Sequence, residues 1–384
     1  GVGVAASAES GAHETLRQEG GASPAVWFLA QPFDAARARE AAWAPFAAAP
    51  CVLPTVEVRR LAAARAEPSA DGALVVALHR AHGTPQAVIE AEIEALVASL
   101  AAASATCAIE PALVREADAI DEAAWTRAVE ASLARIRAGE LRKIVLARPR
   151  RYAASSALDP VGVLARVASR ETRGFRFLVE VGAGRAFLGV TPERLFSRQG
   201  RMVRSEAVAG TRPRGVDGVA DRLLGESLLA SAKDRREQTL VVERVREALA
   251  ACATTLRIDP EPRLLRLAYV QHLSTRLVGE LRAGVGDLDL VRALHPTPAV
   301  AGAPVADAVA ILRALEPFDR GLYAGPVGVV SADGAEVAVA IRSARIEGDA
   351  LVAFAGAGIV DGSDPAEEWR ETGHKLLAFE RLAN

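Results

Sequence analysis

The sequence predicts an α+β sandwich, with strand clusters mixed among helix blocks, and not a doubly wound sheet. Three observations predict it. Apolar, β-branched runs follow one another across short turns such as Ala332-Asp-Gly334 and Glu347-Gly-Asp349, a spacing that means antiparallel pairing. Helical periodicity falls in blocks of its own, at 217–230, 232–252, 287–294 and 304–314. The stretch Ala355-Gly-Ala-Gly-Ile-Val-Asp-Gly362 contains GxG, but Asp361 stands where a dinucleotide loop needs its third glycine. No short internal repeat is visible.

Taken in order, residues 1–22 are small, polar and Gly-rich, the composition of a flexible tail. Residues 23–384 are expected to form one large domain, with a variable N-terminal half (23–118) and a half that carries the motifs (119–384). The first half holds strand-like runs, Ala25–Ala30 and Ala73–His79, among Ala-rich helical stretches. Its internal break is the loop around Ser104–Pro111. A helix follows at 121–138: Asp121 caps it, and Trp125, Val129, Leu133 and Ile136 share one face. Gly139 sits where a C′ glycine ends a helix. Next comes Lys143-Ile-Val-Leu-Ala-Arg148, a strand in which Lys143 shares a face with Val145 and Ala147. Further strands are predicted at 174–181, 185–190, 194–199, 202–208, 264–270, 326–332, 335–346 and 349–356. The last helix runs from Pro365 to about Arg381, with proline at a favourable first-turn position.

Composition excludes several functions. Among 384 residues, 46 Lys and Arg against 48 Asp and Glu give a formal net charge of −2. That balance argues against a general nucleic-acid binder. No apolar run approaches the ~20 residues of a bilayer-spanning helix. The start lacks a charged stretch leading into an apolar one. Cys51, Cys107 and Cys252 lie far apart with no CxxC, which suits reduced thiols in the cytoplasm and not a zinc site.

The chemistry-bearing residues cluster late in the chain. On the last helix Glu368 and Glu371 are i,i+3, and Glu371 and Lys375 are i,i+4. On the helix beginning near 232, Asp234 and Glu237 repeat the i,i+3 spacing. Each pair alone suits a solvated, salt-bridged face. Facing each other they would suit Mg²⁺, which takes one or two carboxylates plus water and substrate oxygens. Lys143 either snorkels to the surface or, buried, serves as a base. Glu193 sits at a turn after Thr191-Pro192, where a plain surface acid is the alternative. The backbone of Ala209-Gly-Thr211 and of the Gly356–Gly358 stretch can hold a carboxylate, with a hydroxyl added by Thr211. Arg342, placed on a strand over 337–346, is a candidate carboxylate clamp. His79 and His82 are expected in an exposed turn, and His272 and His295 at element boundaries. Residue chemistry alone points to a Mg²⁺-dependent enzyme acting on a small anion with one lysine and one glutamate.

Several segments, in order, resemble the chorismate-utilising enzymes. They are Lys143-Ile-Val-Leu-Ala-Arg148, Thr191-Pro-Glu-Arg194, Ala207-Val-Ala-Gly-Thr211, and Ser231-Ala-Lys-Asp-Arg235 with Glu237. Val270-Gln-His-Leu273, Leu294-His-Pro-Thr-Pro-Ala299, Tyr323-Ala-Gly-Pro-Val-Gly328, and Gly356-Ala-Gly-Ile-Val360 through Glu368-Trp-Arg-Glu-Thr372 complete the set. The resemblance implies a fold of two packed, antiparallel-rich sheets with helices outside. Within the family it favours the isochorismate synthases, in which water adds at C2 of chorismate and the C4 hydroxyl leaves. It implies Lys143 as the base and Glu193 as the acid, on neighbouring strands. It implies Glu237, Glu371 and Glu368 around Mg²⁺. Substrate contacts fall on Gly210, Thr211, His272, Tyr323, Arg342, Gly356, Ala357, Gly358 and Lys375. A water-using member is expected as a cytoplasmic monomer without a glutamine amidotransferase subunit.

Lys143, and Ala209 where aminodeoxychorismate synthases carry lysine, argue for water and not ammonia. The intact Leu294-His-Pro-Thr-Pro298 argues against the salicylate synthases, which remain the runner-up, ahead of a chorismate-binding protein without catalysis.

Overall fold

The computed structural model describes residues 4–7, 25–37, 40–47, 51–54, 56–60, 74–79, 84–102, 111–171, 174–182 and 184–382. Its strands are β1 (Val4–Ser7), β2 (Trp27–Ala30), β3 (Cys51–Pro54), β4 (Val56–Arg60), β5 (Leu74–Leu78), β6 (Leu113–Arg115) and β7 (Lys143–Ala154). They continue with β8 (Phe175–Glu180), β9 (Arg185–Thr191), β10 (Arg194–Gln199), β11 (Met202–Pro213), β12 (Ala253–Ile258), β13 (Arg263–Arg266) and β14 (Val270–Leu281). The last are β15 (Gly302–Ala303), β16 (Pro326–Val330), β17 (Gly334–Val339), β18 (Ser343–Glu347) and β19 (Ala350–Ile359). The helices are α1 (Gln86–Ala102), α2 (Glu122–Arg137), α3 (Pro160–Arg170), α4 (Gly218–Ala230), α5 (Ala232–Cys252), α6 (Asp287–Leu294), α7 (Val305–Leu315) and α8 (Pro365–Glu380).

Two sheets carry the architecture. The larger runs β1-β3-β2-β16-β17-β10-β11-β14-β12, with β13 also on β14. The smaller runs β15-β7-β19-β18-β9-β8, with β6 on β7, and β4 and β5 pair separately. The ladders are antiparallel throughout the described residues. Strand side chains alternate between faces, so each sheet can bury both. Along β9, Phe187 joins the main core with Phe196, Val337 and Phe354, while Leu188 and Val190 pack with Val163, Leu376 and Phe379 of α3 and α8.

Local chemistry sets the helix ends. Asp121 accepts from Ala124 N at the start of α2, and Gly139 takes φ +78° just past its end. Ser231 caps α5 and Asp364 caps α8, with Pro365 following. These residues satisfy amide groups that have no partner inside the helix.

The structure corrects the sequence reading in several places. Val4–Ser7, expected within a flexible tail, pairs with Cys51–Pro54 at the sheet edge. The strand expected at 264–270 is two strands, β13 and β14, reversing at Leu267–Tyr269, where Leu267 N donates to Val270 O (2.9 Å). The strand expected at 335–346 breaks at Ala340–Arg342 because the chain there leaves one sheet for the other. Gly356–Gly358 is not a loop but the last part of β19, paired with β7. His79 is not an exposed turn residue; it lies 3.2 Å from Glu57 and is mostly buried. His82, His13, Cys107 and most of the expected break at 104–111 lie outside the described residues.

Candidate active site

Two sheet-to-sheet crossings build the site. The chain leaves the smaller sheet after β9, turns at Pro192-Glu193, and enters the larger sheet as β10. It returns between β17 and β18, through Ala340-Ile-Arg342. The crossings lie side by side. Val339 N donates to Glu193 O (2.9 Å), Thr191 Oγ1 donates to Val339 O (2.6 Å), and Val190 N donates to Arg342 O (3.2 Å). Glu193 and Arg342 are therefore set where the sheets part. Arg342 takes φ +52°, a conformation that costs a non-glycine residue on the order of 1 kcal/mol or more.

A cavity of about 70 Å³, open at its mouth, lies in this cleft. Of the predicted site residues, Glu193, Gly210, Thr211, Glu237, His272, Tyr323, Arg342, Gly356, Gly358, Glu371 and Lys375 line it. Lys143 sits directly behind Glu237, 1% exposed, with Nζ 2.8 Å from Glu237 Oε1. Glu368 stands outside the lining, bound to Lys233 (2.9 Å). Ala357 does not reach the cavity: strand alternation turns it into the main core. Asp234 is drawn to Arg212 (2.8 Å), so the i,i+3 pair on α5 does not act together. Lys143 and Glu193 are not on neighbouring strands, since β19 and β18 stand between β7 and β9. They approach across the cleft closely enough for the lysine charge to act on Glu193.

Sequence reasoning missed the apolar wall of Pro192, Val300, Ile341 and Phe354. Tyr323 stacks on Phe354 with ring centres 5.2 Å apart. Trp43, from the N-terminal third, packs behind Phe354 at 5.9 Å and donates Nε1–H to Asp319 O. Only the family-like segments around Thr191-Pro192 and Leu294–Ala299 carried a signal for any of these.

The charges inside are tuned by burial. Glu193 is 5% exposed, and burial pushes its carboxyl up to about 7 against the opposing pull of Lys143 and Lys375. His272 is held neutral, near 3, by burial and by the charges of Arg342 and Lys375. Its Nδ1 lies 3.0 Å from Gly210 O and 3.2 Å from Thr211 Oγ1. A carbonyl only accepts, so Nδ1 carries the proton and Nε2 accepts from Arg342 Nη2 (3.3 Å). His272 thus steadies the guanidinium. Gly210 makes that contact possible: at φ +68° it forms a bulge in β11 opposite His272. Lys375 Nζ donates to Gly356 O (2.8 Å) and to Glu371 Oε1 (2.7 Å). A side chain at Gly358 would bring a Cβ within 2.5 Å of Glu237 Oε1, so only glycine leaves that carboxylate its place.

The model of one family, described as "Chorismate binding enzyme", matches residues 6–382. The chain belongs to the chorismate-binding enzymes. It is 41% identical over 240 residues to isochorismate synthase 2, chloroplastic, of Arabidopsis thaliana, covering 62% of this chain and 43% of the plant protein. It is 40% identical over 266 residues to isochorismate synthase MenF of Pasteurella multocida, covering 68% of this chain and 62% of the relative. The chain thus spans less than two thirds of the length of either. Its fold is similar to that of the menaquinone-specific isochorismate synthase MenF from Escherichia coli. The TM-score is 0.83 at 31% identity, over 97% of this chain and 82% of that one.

The donor set of the cavity is of the kind that fits the Mg²⁺ expected from the sequence. Glu237 and Glu371 offer hard carboxylate oxygens to one cavity, each already beside a lysine cation. Burial and the nearby Glu371 charge raise the Glu368 carboxyl to about 7, and its partner is Lys233. Among the described residues no three acids, histidines or cysteines gather closely enough to hold a metal alone. Mg²⁺ does not need that, because waters and substrate oxygens complete its shell.

Proposed function

We propose that this protein converts chorismate to isochorismate. One observation carries the reading: a buried carboxyl near pKa 7, Glu193, lines a cavity together with Arg342 and Lys375, and a buried lysine, Lys143, stands directly behind the Glu237 that lines it. The relatives named isochorismate synthases support it. Lys143 takes a proton from the attacking water, which bonds to C2. The ring double bonds shift, the C4–O bond breaks, and Glu193 gives its proton to the departing hydroxyl. One water enters and one leaves, and the proton gained by Lys143 returns through solvent to Glu193, restoring both groups. Arg342 and Lys375 hold the substrate's carboxylates, with Tyr323 and the Gly210–Thr211 backbone beside them. Glu237 and Glu371, with Glu368 behind, would hold Mg²⁺, which would supply Lewis-acid stabilisation of the charge that develops on the substrate. Val208 and Ala209 of β11 flank the ring site. Among the described residues no helix is long and apolar enough to cross a membrane. The proposed enzyme acts as a cytoplasmic monomer on a small molecule.

The test is chromatography of chorismate incubated with the protein, in Mg²⁺ and in EDTA. A Mg²⁺-dependent isochorismate peak without pyruvate is expected. Salicylate with pyruvate would move the reading to a salicylate synthase, and binding without turnover to a non-catalytic protein. Glu371→Gln should raise the Mg²⁺ concentration for half-maximal activity by roughly 10-fold or more, since a charged oxygen ligand is lost. An unchanged Mg²⁺ titration would remove Glu371 from the metal site.

A further inference from the structure

Strand β7 has two working faces. One carries Val145, which lines the cavity, and Lys143, which pairs with Glu237 behind it. The other presents Arg148, which is 0% exposed, to α8. Arg148 Nε donates to Thr372 Oγ1 at 2.8 Å, and its guanidinium carbon lies 3.6 Å from the centre of the Trp369 ring. Trp369 in turn packs on Trp125 of α2 at 6.1 Å. Arg148 Nη1 reaches Asp118 at 3.5 Å, while Nη2 finds no partner among the described residues.

Such a residue is costly as mere filling. A buried guanidinium with an unmade hydrogen bond destabilises, and an apolar side chain of similar volume would pack at less cost. Its contacts define an orientation instead. At about 100° per residue, Glu368, Glu371 and Lys375 fall within an arc of about 60° on α8. Trp369 and Thr372 border that arc on the side Arg148 grips. Stacking fixes the height of the helix, and the Nε bond fixes its rotation.

We propose that Arg148 is a positioning residue that sets the rotation of α8 and thereby aims Glu371 and Lys375 into the cavity. The proposal rests on the reading of Glu371 as a metal ligand and Lys375 as a substrate contact. It adds to that reading a part for the second face of β7, remote from the reacting atoms.

Arg148→Lys keeps the charge beside Asp118 but loses the stack and the Nε bond. Thr372→Val removes the acceptor from the helix side, and with it the Thr372 donation to Trp369 O, while keeping nearly the same shape and introducing no new charge. Mn²⁺ binding, read by electron paramagnetic resonance on the protein with chorismate, should weaken roughly 10-fold in either variant. The KM for chorismate should rise in both. Tyr152→Phe, on the same face of β7, should leave both quantities unchanged. A lower melting temperature with wild-type Mn²⁺ affinity and KM in both variants would make Arg148 a packing residue only and overturn the proposal. If Arg148→Lys fails to fold, Thr372→Val decides alone. If the wild-type protein takes up no Mn²⁺, the metal reading falls, and the chorismate KM of the variants decides the proposal by itself.

Discussion

Glu193→Gln is expected to lower kcat by roughly 10²–10⁴-fold, the usual worth of a positioned general acid, while making the folded protein more stable above neutral pH. Glutamine keeps the shape and cannot give a proton. The stability effect follows from linkage. Burial raises the Glu193 carboxyl from 4.5 to about 7. Below the unfolded value the group is neutral in both states and costs nothing. As pH rises toward 7 the unfolded chain releases the proton first, so stability falls and stays lower above 7. At 1.36 kcal/mol per pKa unit the loss is on the order of 3 kcal/mol. The variant should escape it, unfolding at higher denaturant concentration than wild type at pH 8 and not at pH 4. The same shift predicts that wild-type kcat/KM declines above about pH 7, where Glu193 loses its proton. A flat profile from pH 6 to 9, or a Gln variant with near wild-type kcat, would remove Glu193 as the acid.

Much of this arrangement was legible in the sequence, for reasons that differ by element. The helices α5 and α8 were readable because helical periodicity marks both and Pro365 marks the start of α8; their caps, Ser231 and Asp364, came with the structure. Lys143 stood out because a lysine in an apolar strand demands a partner, and it has one in Glu237. The crossings were not readable. Val337 to Ile346 continues an apolar pattern straight through Ala340–Arg342, and no local preference marks a change of sheet. Gly356–Gly358 looked like a loop because glycine is disfavoured in strands. Here the missing side chains make room for Glu237 and for the Tyr323 hydroxyl, a requirement set by distant residues. The first third looked poor in chemistry, yet Trp43 backs the Phe354–Tyr323 wall. Contacts of that separation leave no trace in a local window.

Lys143→Ala should cost at least as much as loss of the acid, roughly 10²–10⁴-fold in kcat, with chorismate binding retained. The retention follows from geometry: Arg342, Lys375 and Tyr323 line the cavity, and Lys143 stands behind it. Calorimetric titration should therefore give a dissociation constant near that of wild type. Two other effects of the change must be separated from loss of a base. The variant strips Glu237 of its cation, and it removes one of the two charges that lower the Glu193 carboxyl. Glu193 should then hold its proton to higher pH, so the residual activity should persist further into alkali. Lys143→Arg restores a positive charge to the position, but a guanidinium does not release its proton near neutral pH. If Lys143 acts as a base, the arginine variant stays as slow as the alanine variant. If Lys143 acts only as a charge, arginine recovers most of the rate and the alanine variant responds to Mg²⁺ concentration instead. Isochorismate formation at a near-normal rate by Lys143→Ala would assign the proton of the attacking water to another group altogether.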